Sequence, residues 1–174
     1  MRFYVQAILA IFLLPLAAMG QTKPLMNKKV FDTALLYERM HPAGFYEAAI
    51  NAYDRGDKYG GAFLYYLGQL RYKYYCHANP EVEEDGDKAV LASLNSVVGE
   101  EINFFLGGHA DNYAIVLDSV LAWDKRHEYT FYPKKKSPAK HKEILDGLTK
   151  LRNYIVANKA SIEEQNAAAR KERH

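Results

Sequence analysis

Apolar residues recur along most of this chain at three- and four-residue intervals, the spacing that lines one face of an α-helix. Residues 30–40 place Phe31, Ala34, Leu35 and Glu38 together. His41-Pro42 closes that helix, because Pro42 restricts its predecessor and suits the first turn of a new one. Residues 43–54 group Phe45, Ala48, Ala49 and Ala52. Gly56 can then take the left-handed backbone that ends a helix, and Asp57 can cap the next. That next helix, residues 58–77, carries the stripe Phe63, Leu67, Leu70 and Tyr74, with Ala62 and Tyr66 beside it. Gly60, Gly61 and Gly68 sit inside it, each about 1 kcal/mol less favourable than Ala. Either a second helix approaches closely there or the glycines are merely tolerated.

The second half continues in the same period. Residues 78–87 form an acidic loop with Pro80 and Gly86, and lack the ligand spacing of a calcium loop. Asp87 can cap a helix over 88–98, with Val90, Leu91, Leu94, Val97 and Val98 apolar, and Gly99 is expected to break it. A short helical piece at 100–106 buries Ile102, Phe105 and Leu106. After Gly107-Gly108, His109 or Asp111 opens a helix to about residue 125, faced by Tyr113, Val116, Leu117, Val120 and Leu121, with Ala114 and Trp123 at its margins. Residues 126–138 are irregular, since two prolines forbid a regular helix. A short strand at 129–132 would need a partner that the sequence does not reveal. One last helix over 139–171 follows Ile144, Leu148, Leu151, Ile155 and Ile162. Beyond Ile162 the chain is polar, and its end is expected to project or fray.

The fold implied is all-α: a compact bundle of five or six helices in one domain, residues 43–174, preceded by a leader and short helix at 21–42. Residues 1–20 read differently. Arg2, the apolar run at 7–16 and Ala18-Met19-Gly20 make a bacterial-type secretory signal peptide with its cut after Gly20. A retained anchor is the alternative, although the run is short for a hydrocarbon core of about 30 Å. The expected location is periplasmic or secreted, with no stable membrane span after cleavage.

Composition then narrows the partners. Net charge is +2 over 174 residues, and removing residues 1–20 removes one basic residue and no acid. Nothing in that balance favours nucleic acid. The single cysteine, Cys76, excludes an intramolecular disulfide and is expected to pack as a small hydrophobe. The 14 tyrosines against one tryptophan fit either wet interfaces or a core rich in hydrogen-bonded edges.

Residues 48–70 read AAINAYDRGDKYGGAFLYYLGQL. Small residues at Ala48, Ala49 and Ala52, then Tyr53, Gly56-Asp57, Ala62 and Tyr66, resemble the helical hairpin of tetratricopeptide or Sel1-like repeats. The likeness covers about 25 residues. It implies a helical scaffold that binds peptides or protein surfaces, and no reaction. No second copy follows at the family's period, so no groove residues carry over.

Searching for chemistry yields little. None of the six histidines forms an H-E-x-x-H pair, and no nucleophile elbow or phosphate loop occurs. His109 and Asp111 form the best local acid–base or metal candidate, with Asp111 as a helix cap the plainer reading. Glu100 or Glu101 could meet Arg71 or Arg126 across the bundle, and Lys134-Lys135-Lys136 could touch an anion or simply be solvated. The candidate binding residues are Tyr66, Gln69, Arg71, Tyr72, Tyr75, His109, Asp111 and Trp123; neither catalytic residues, metal nor cofactor is assigned. Arg and Tyr are enriched at interaction hot spots, and at helical spacing some of these tyrosines should face outward.

Three functional expectations follow. One is an exported helical protein that binds another protein, in the manner of immunity or inhibitor proteins. The second is a cell-envelope enzyme using His109, Asp111 and a nearby glutamate. The third is a structural accessory of an envelope assembly.

Overall fold

The computed structural model describes residues 25–173; the segment read as a signal peptide, residues 1–20, lies outside them. Within them the regular elements are all helical: α1 (Lys28–Tyr37), α2 (Gly44–Asp54), α3 (Lys58–Ala78), α4 (Asp87–Gly107), α5 (Ala110–Arg126), one 3-10 turn (Lys134–Lys136), α6 (Pro138–Ala157) and α7 (Lys159–Glu172). The all-α bundle is the one the apolar spacing requires, with seven helices rather than five or six.

α3 is the axis. Helices α1, α2, α4, α5 and α6 pack on it, and from Gly60 to Tyr72 only Gln69 escapes full burial. A helix covered on every side needs partners for its polar atoms, and tyrosine hydroxyls at its edges supply them. The α2–α3 hairpin turns at Gly56, the one glycine with positive φ (+88°) among the described residues. Asp57 Oδ1 then accepts the Gly60 amide at 3.1 Å, capping α3. The two helices run back along each other at close range. A Cβ on Gly68 would stand 2.4 Å from Phe45 Cβ, and one on Gly61 would stand 2.8 Å from the Ala49 carbonyl. These glycines are therefore required by the approach of α2. Cys76 is buried, and burial with Asp87 nearby pushes its thiol up to about 12.

Four expectations need correction. Gly99 does not break a helix: α4 runs through it unbroken, and its missing side chain admits the Tyr65 hydroxyl, which a Cβ would meet at 2.3 Å. Asp87 is not a cap; Gly86 holds that position, and Asp87 accepts a hydrogen bond from the Tyr72 hydroxyl. Residues 129–132 form no strand. Thr130 and Phe131 amides both donate to the Glu38 carbonyl at 3.2 Å, and Tyr129 and Tyr132 are buried with Tyr74 in a second aromatic cluster.

The fourth correction concerns the C-terminus. The last helix divides at Asn158, whose Nδ2 donates to the Tyr154 carbonyl at 2.8 Å. Asparagine competes for backbone groups in this way and weakens a helix interior. α7 then folds against α4 and α5 instead of projecting. Asn166 is buried and donates to the Phe104 carbonyl at 2.7 Å. Arg173 lies 4.0 Å from the Phe104 ring and pairs with Glu100 at 2.8 Å. Gly107 and Gly108 make room: a Cβ on either would stand 2.9 Å from Asn166 Nδ2 or 2.7 Å from Arg170 Nη2.

Gly68→Ala forces α2 and α3 apart and should lower stability by about 2 kcal/mol. Gly147, in α6 with nothing within 4 Å of its added Cβ, is the matched control. Gly147→Ala should stabilise by up to about 1 kcal/mol. Urea unfolding of both variants measures the contrast, and equal effects would contradict the close-approach reading.

Candidate functional site

The tyrosines selected from the sequence line the interior. The Tyr66 hydroxyl donates to Asn103 Oδ1 at 2.6 Å and contacts the Tyr113 hydroxyl. Gln69 Nε2 donates to Asn95 Oδ1 at 2.9 Å, an oxygen that also accepts from the Tyr46 hydroxyl at 2.8 Å. Tyr72 is buried against His41 and Tyr46. Tyr75 is half-buried, with His41, Phe131 and Tyr132 edge-on to it. The outward tyrosines expected on α3 are absent; these hydroxyls instead join α3 to α2, α4 and α5. Of the two readings of the tyrosine surplus, the hydrogen-bonded core is the one the molecule uses.

Arg71 belongs to a buried ionic centre. Its side chain is 0% exposed, and Nη1 lies 2.8 Å from Asp124 Oδ1 on α5. Asp124 Oδ2 lies 2.9 Å from His141 Nε2 and 3.4 Å from Lys134 Nζ. Arg71 Nη2 also donates to the His127 carbonyl at 3.3 Å. Trp123 stacks on His127 at 3.7 Å and on Phe31 at 5.6 Å, roofing the centre. Neither Glu100 nor Glu101 meets Arg71. Burial pushes the Asp124 carboxyl up, but the His141 hydrogen bond and the Arg71 and Lys134 charges outweigh it and hold the group below its ordinary range. Burial likewise lowers Arg71 and raises Glu38, one of two further carboxyls, with Glu128, whose charge reaches this centre. One of the three lysines, Lys134, is thus structural, and Lys136 sits 4.5 Å over the Tyr132 ring.

His109 and Asp111 go separate ways. The exposed His109 ring packs beside Phe105 and Tyr59 at 5.1 and 6.2 Å. Asp111 is exposed and pairs with Lys159 of α7. It does not cap α5; that service comes from Glu163 of α7, whose Oε1 accepts the Ala110 amide at 3.0 Å. Among the described residues no three His, Cys, Asp or Glu side chains gather as a metal set.

What the sequence did not single out is the outer face of α4. Leu91, Val98, Ile102 and Leu106 are buried, and a second apolar line adjoins that stripe: Val90 and Val97, exposed, with the half-buried Leu94 between them still packed on the core. Val97 is 72% exposed and Val90 46%. Across a cleft of about 220 Å³ stands Ile50 of α2, 41% exposed, with Tyr53, Asp54 and Glu101 completing the lining. Residues 89–99 carry no charge, and exposed Ala89, Ser93 and Ser96 flank the line. Carboxylates accompany it: Glu47 and Asp54 on α2, Glu101 at its C-terminal end, and in the preceding loop Glu83, Asp85 and Glu81, the last near Tyr75 and Tyr132. Among the described residues none of these six makes an ion pair. Two cations share this edge: Lys58 is engaged 3.5 Å over the Tyr53 ring, and Arg170, whose charge also reaches Tyr53, lies 5.3 Å over the Phe104 ring and donates to Asn166. The signal available in the sequence was surplus: α4 has more apolar positions than one core-facing stripe holds. By length and composition alone α4 could also cross a membrane, at mean hydropathy 1.2 with 28% of that window buried. A larger cleft, about 500 Å³, separates α1 from α2, but its rim is mixed, with Lys29 and Arg55 beside Asp57.

Arg71→Met should cost about 3–5 kcal/mol, because it strands a buried carboxylate, and Arg71→Met with Asp124→Leu should recover most of that loss. The depressed Asp124 carboxyl adds stability that is fully present above its unfolded value near 3.8 and fades as pH falls through the folded value. Unfolding curves of wild type and Asp124→Asn should therefore converge below pH 4; a gap that is constant with pH contradicts the pairing. Compared with known protein families, curated proteins and solved structures, the chain matches none.

Proposed function

We propose that this chain is an exported protein that works by binding another protein, and that α4 with the adjoining edge of α2 is its docking face. The exposure of Val97 carries the reading. Val97 is the most exposed large apolar residue among the described residues, at 72%, and it lies within an uncharged eleven-residue stretch with Val90, 46% exposed, and Ile50 across the cleft, 41% exposed. Such contiguous patches mark interaction sites. The polar residues singled out in the sequence are engaged elsewhere: the binding candidates Arg71 with Asp124 and Tyr66 with Asn103, and the acid–base candidate Asp111 with Lys159. The tetratricopeptide-like residues of the α2–α3 hairpin agree with a scaffold whose task is recognition, and a toxin-neutralising or inhibitor-type role belongs to that class.

A photo-crosslinking residue at position 97 should trap one discrete partner in producing cells, whereas the same residue at the exposed position 125 on α5 should not. Adducts at neither position, or equally at both, contradict the docking face. Export is tested separately by the intact mass of the cell-made protein. The mass should correspond to a chain beginning at Gln21, and retention of residues 1–20 in the exported form would contradict cleavage.

A further inference from the structure

We infer that the occupant of the α2–α4 face is a cationic amphipathic helix of another protein. The inference rests on the docking face proposed above and adds the chemistry of what fills it. Val90, Leu94 and Val97 fall at intervals of four and three residues, with Ile50 across the cleft. That line matches the i, i+3, i+4, i+7 anchors by which a helix lies in a groove. Ala89, Ser93 and Ser96 beside it are small and exposed, so a second helix can settle at the short end of the usual 8–10 Å interaxial range.

Charge selects the partner. Glu47, Asp54 and Glu101, without ion pairs among the described residues, adjoin the apolar line, and Glu83 and Asp85 precede it in the chain; the cations nearest its C-terminal end, Lys58 and Arg170, lie over the Tyr53 and Phe104 rings. Lys or Arg flanking the apolar face of an incoming helix would meet them at both ends and along the α2 side. A second copy of this chain would set the same carboxylates against each other, and like charges across an interface oppose association. Anionic lipid and nucleic acid are repelled for the same reason.

The test uses the purified protein and three 18-residue peptides. These are a Leu/Lys amphipathic helix, a scrambled peptide of the same composition, and a Leu/Glu counterpart of the helix. The Leu/Lys helix should bind, more weakly as salt rises, and should shift the amide resonances of Ile50, Val97 and Glu101. The scrambled and Leu/Glu peptides should bind at least about tenfold more weakly. Val97→Glu should weaken the Leu/Lys complex about tenfold and Glu101→Lys about threefold. Lys29→Glu, at the α1–α2 cleft, should leave it unchanged. Both sites on α4 are exposed, and an unchanged melting temperature for each variant verifies that the fold persists. Equal binding of the Leu/Glu helix overturns the inference, as do resonance shifts confined to the α1–α2 cleft, binding to phosphatidylglycerol vesicles instead of the peptide, or self-association lost in Val97→Glu. Crosslinking at position 97 in cells together with no preference for the Leu/Lys peptide would keep the docking face and remove only the cationic helix.

Discussion

The Arg71–Asp124 pair is the constraint around which the remainder of the molecule is arranged. Two opposite charges lie at essentially zero exposure, where the loss of hydration costs several kcal/mol per ion and must be offset by their mutual attraction and by further polar contacts. Supplying those contacts draws in most of the chain, although Arg71 Nε stays without a hydrogen-bond partner among the described residues. α3 brings Arg71, α5 brings Asp124 and Trp123, the 127–137 segment brings the His127 carbonyl and Lys134, and α6 brings His141. The segment after α1 joins through the Glu38 carbonyl, which holds the Thr130 and Phe131 amides. A segment whose one regular element is a single 3-10 turn is thereby tied to α1, α3 and α5.

The same logic extends along α3. A helix buried on all sides satisfies its polar groups through tyrosine and amide side chains: Tyr66 with Asn103, Gln69 and Tyr46 with Asn95, Tyr72 with Asp87. Networks of this kind define a unique packing, because a shifted register would leave several groups unpaired at once. They also account for α4. Its inner side is tied to α3 by Asn95 and Asn103, which fixes its rotation and commits Val90 and Val97 to the outside. The exposure of Val90 and Val97 is a consequence of the polar contacts that anchor the inner side of the helix.

Much of the architecture was legible in the residues alone. Helices α1, α2, α3 and α5 follow from apolar spacing, and the α2–α3 turn follows from Gly56 and the Asp57 cap, because period, glycine conformation and capping are properties of neighbouring residues. The all-α class follows for the same reason. The candidate site was not legible in the same way. α4 offered Val90, Leu91, Leu94, Val97 and Val98, and spacing alone cannot say which of two apolar lines meets the core.

What only the tertiary structure decided has one physical source: contact between residues far apart in the chain. Gly99 reads as a breaker until Tyr65 is found against it. Gly107 and Gly108 read as a turn until Asn166 and Arg170 are found over them. The polar tail after Ile162 reads as solvent-bound until Glu163 caps α5 and Arg173 reaches Glu100. Arg71 reads as a surface anchor until Asp124, 53 positions later in the sequence, neutralises it. Local sequence determines where helices begin and what each face is made of. The choice of which face turns inward is made by partners that the chain places beside it only once it has folded.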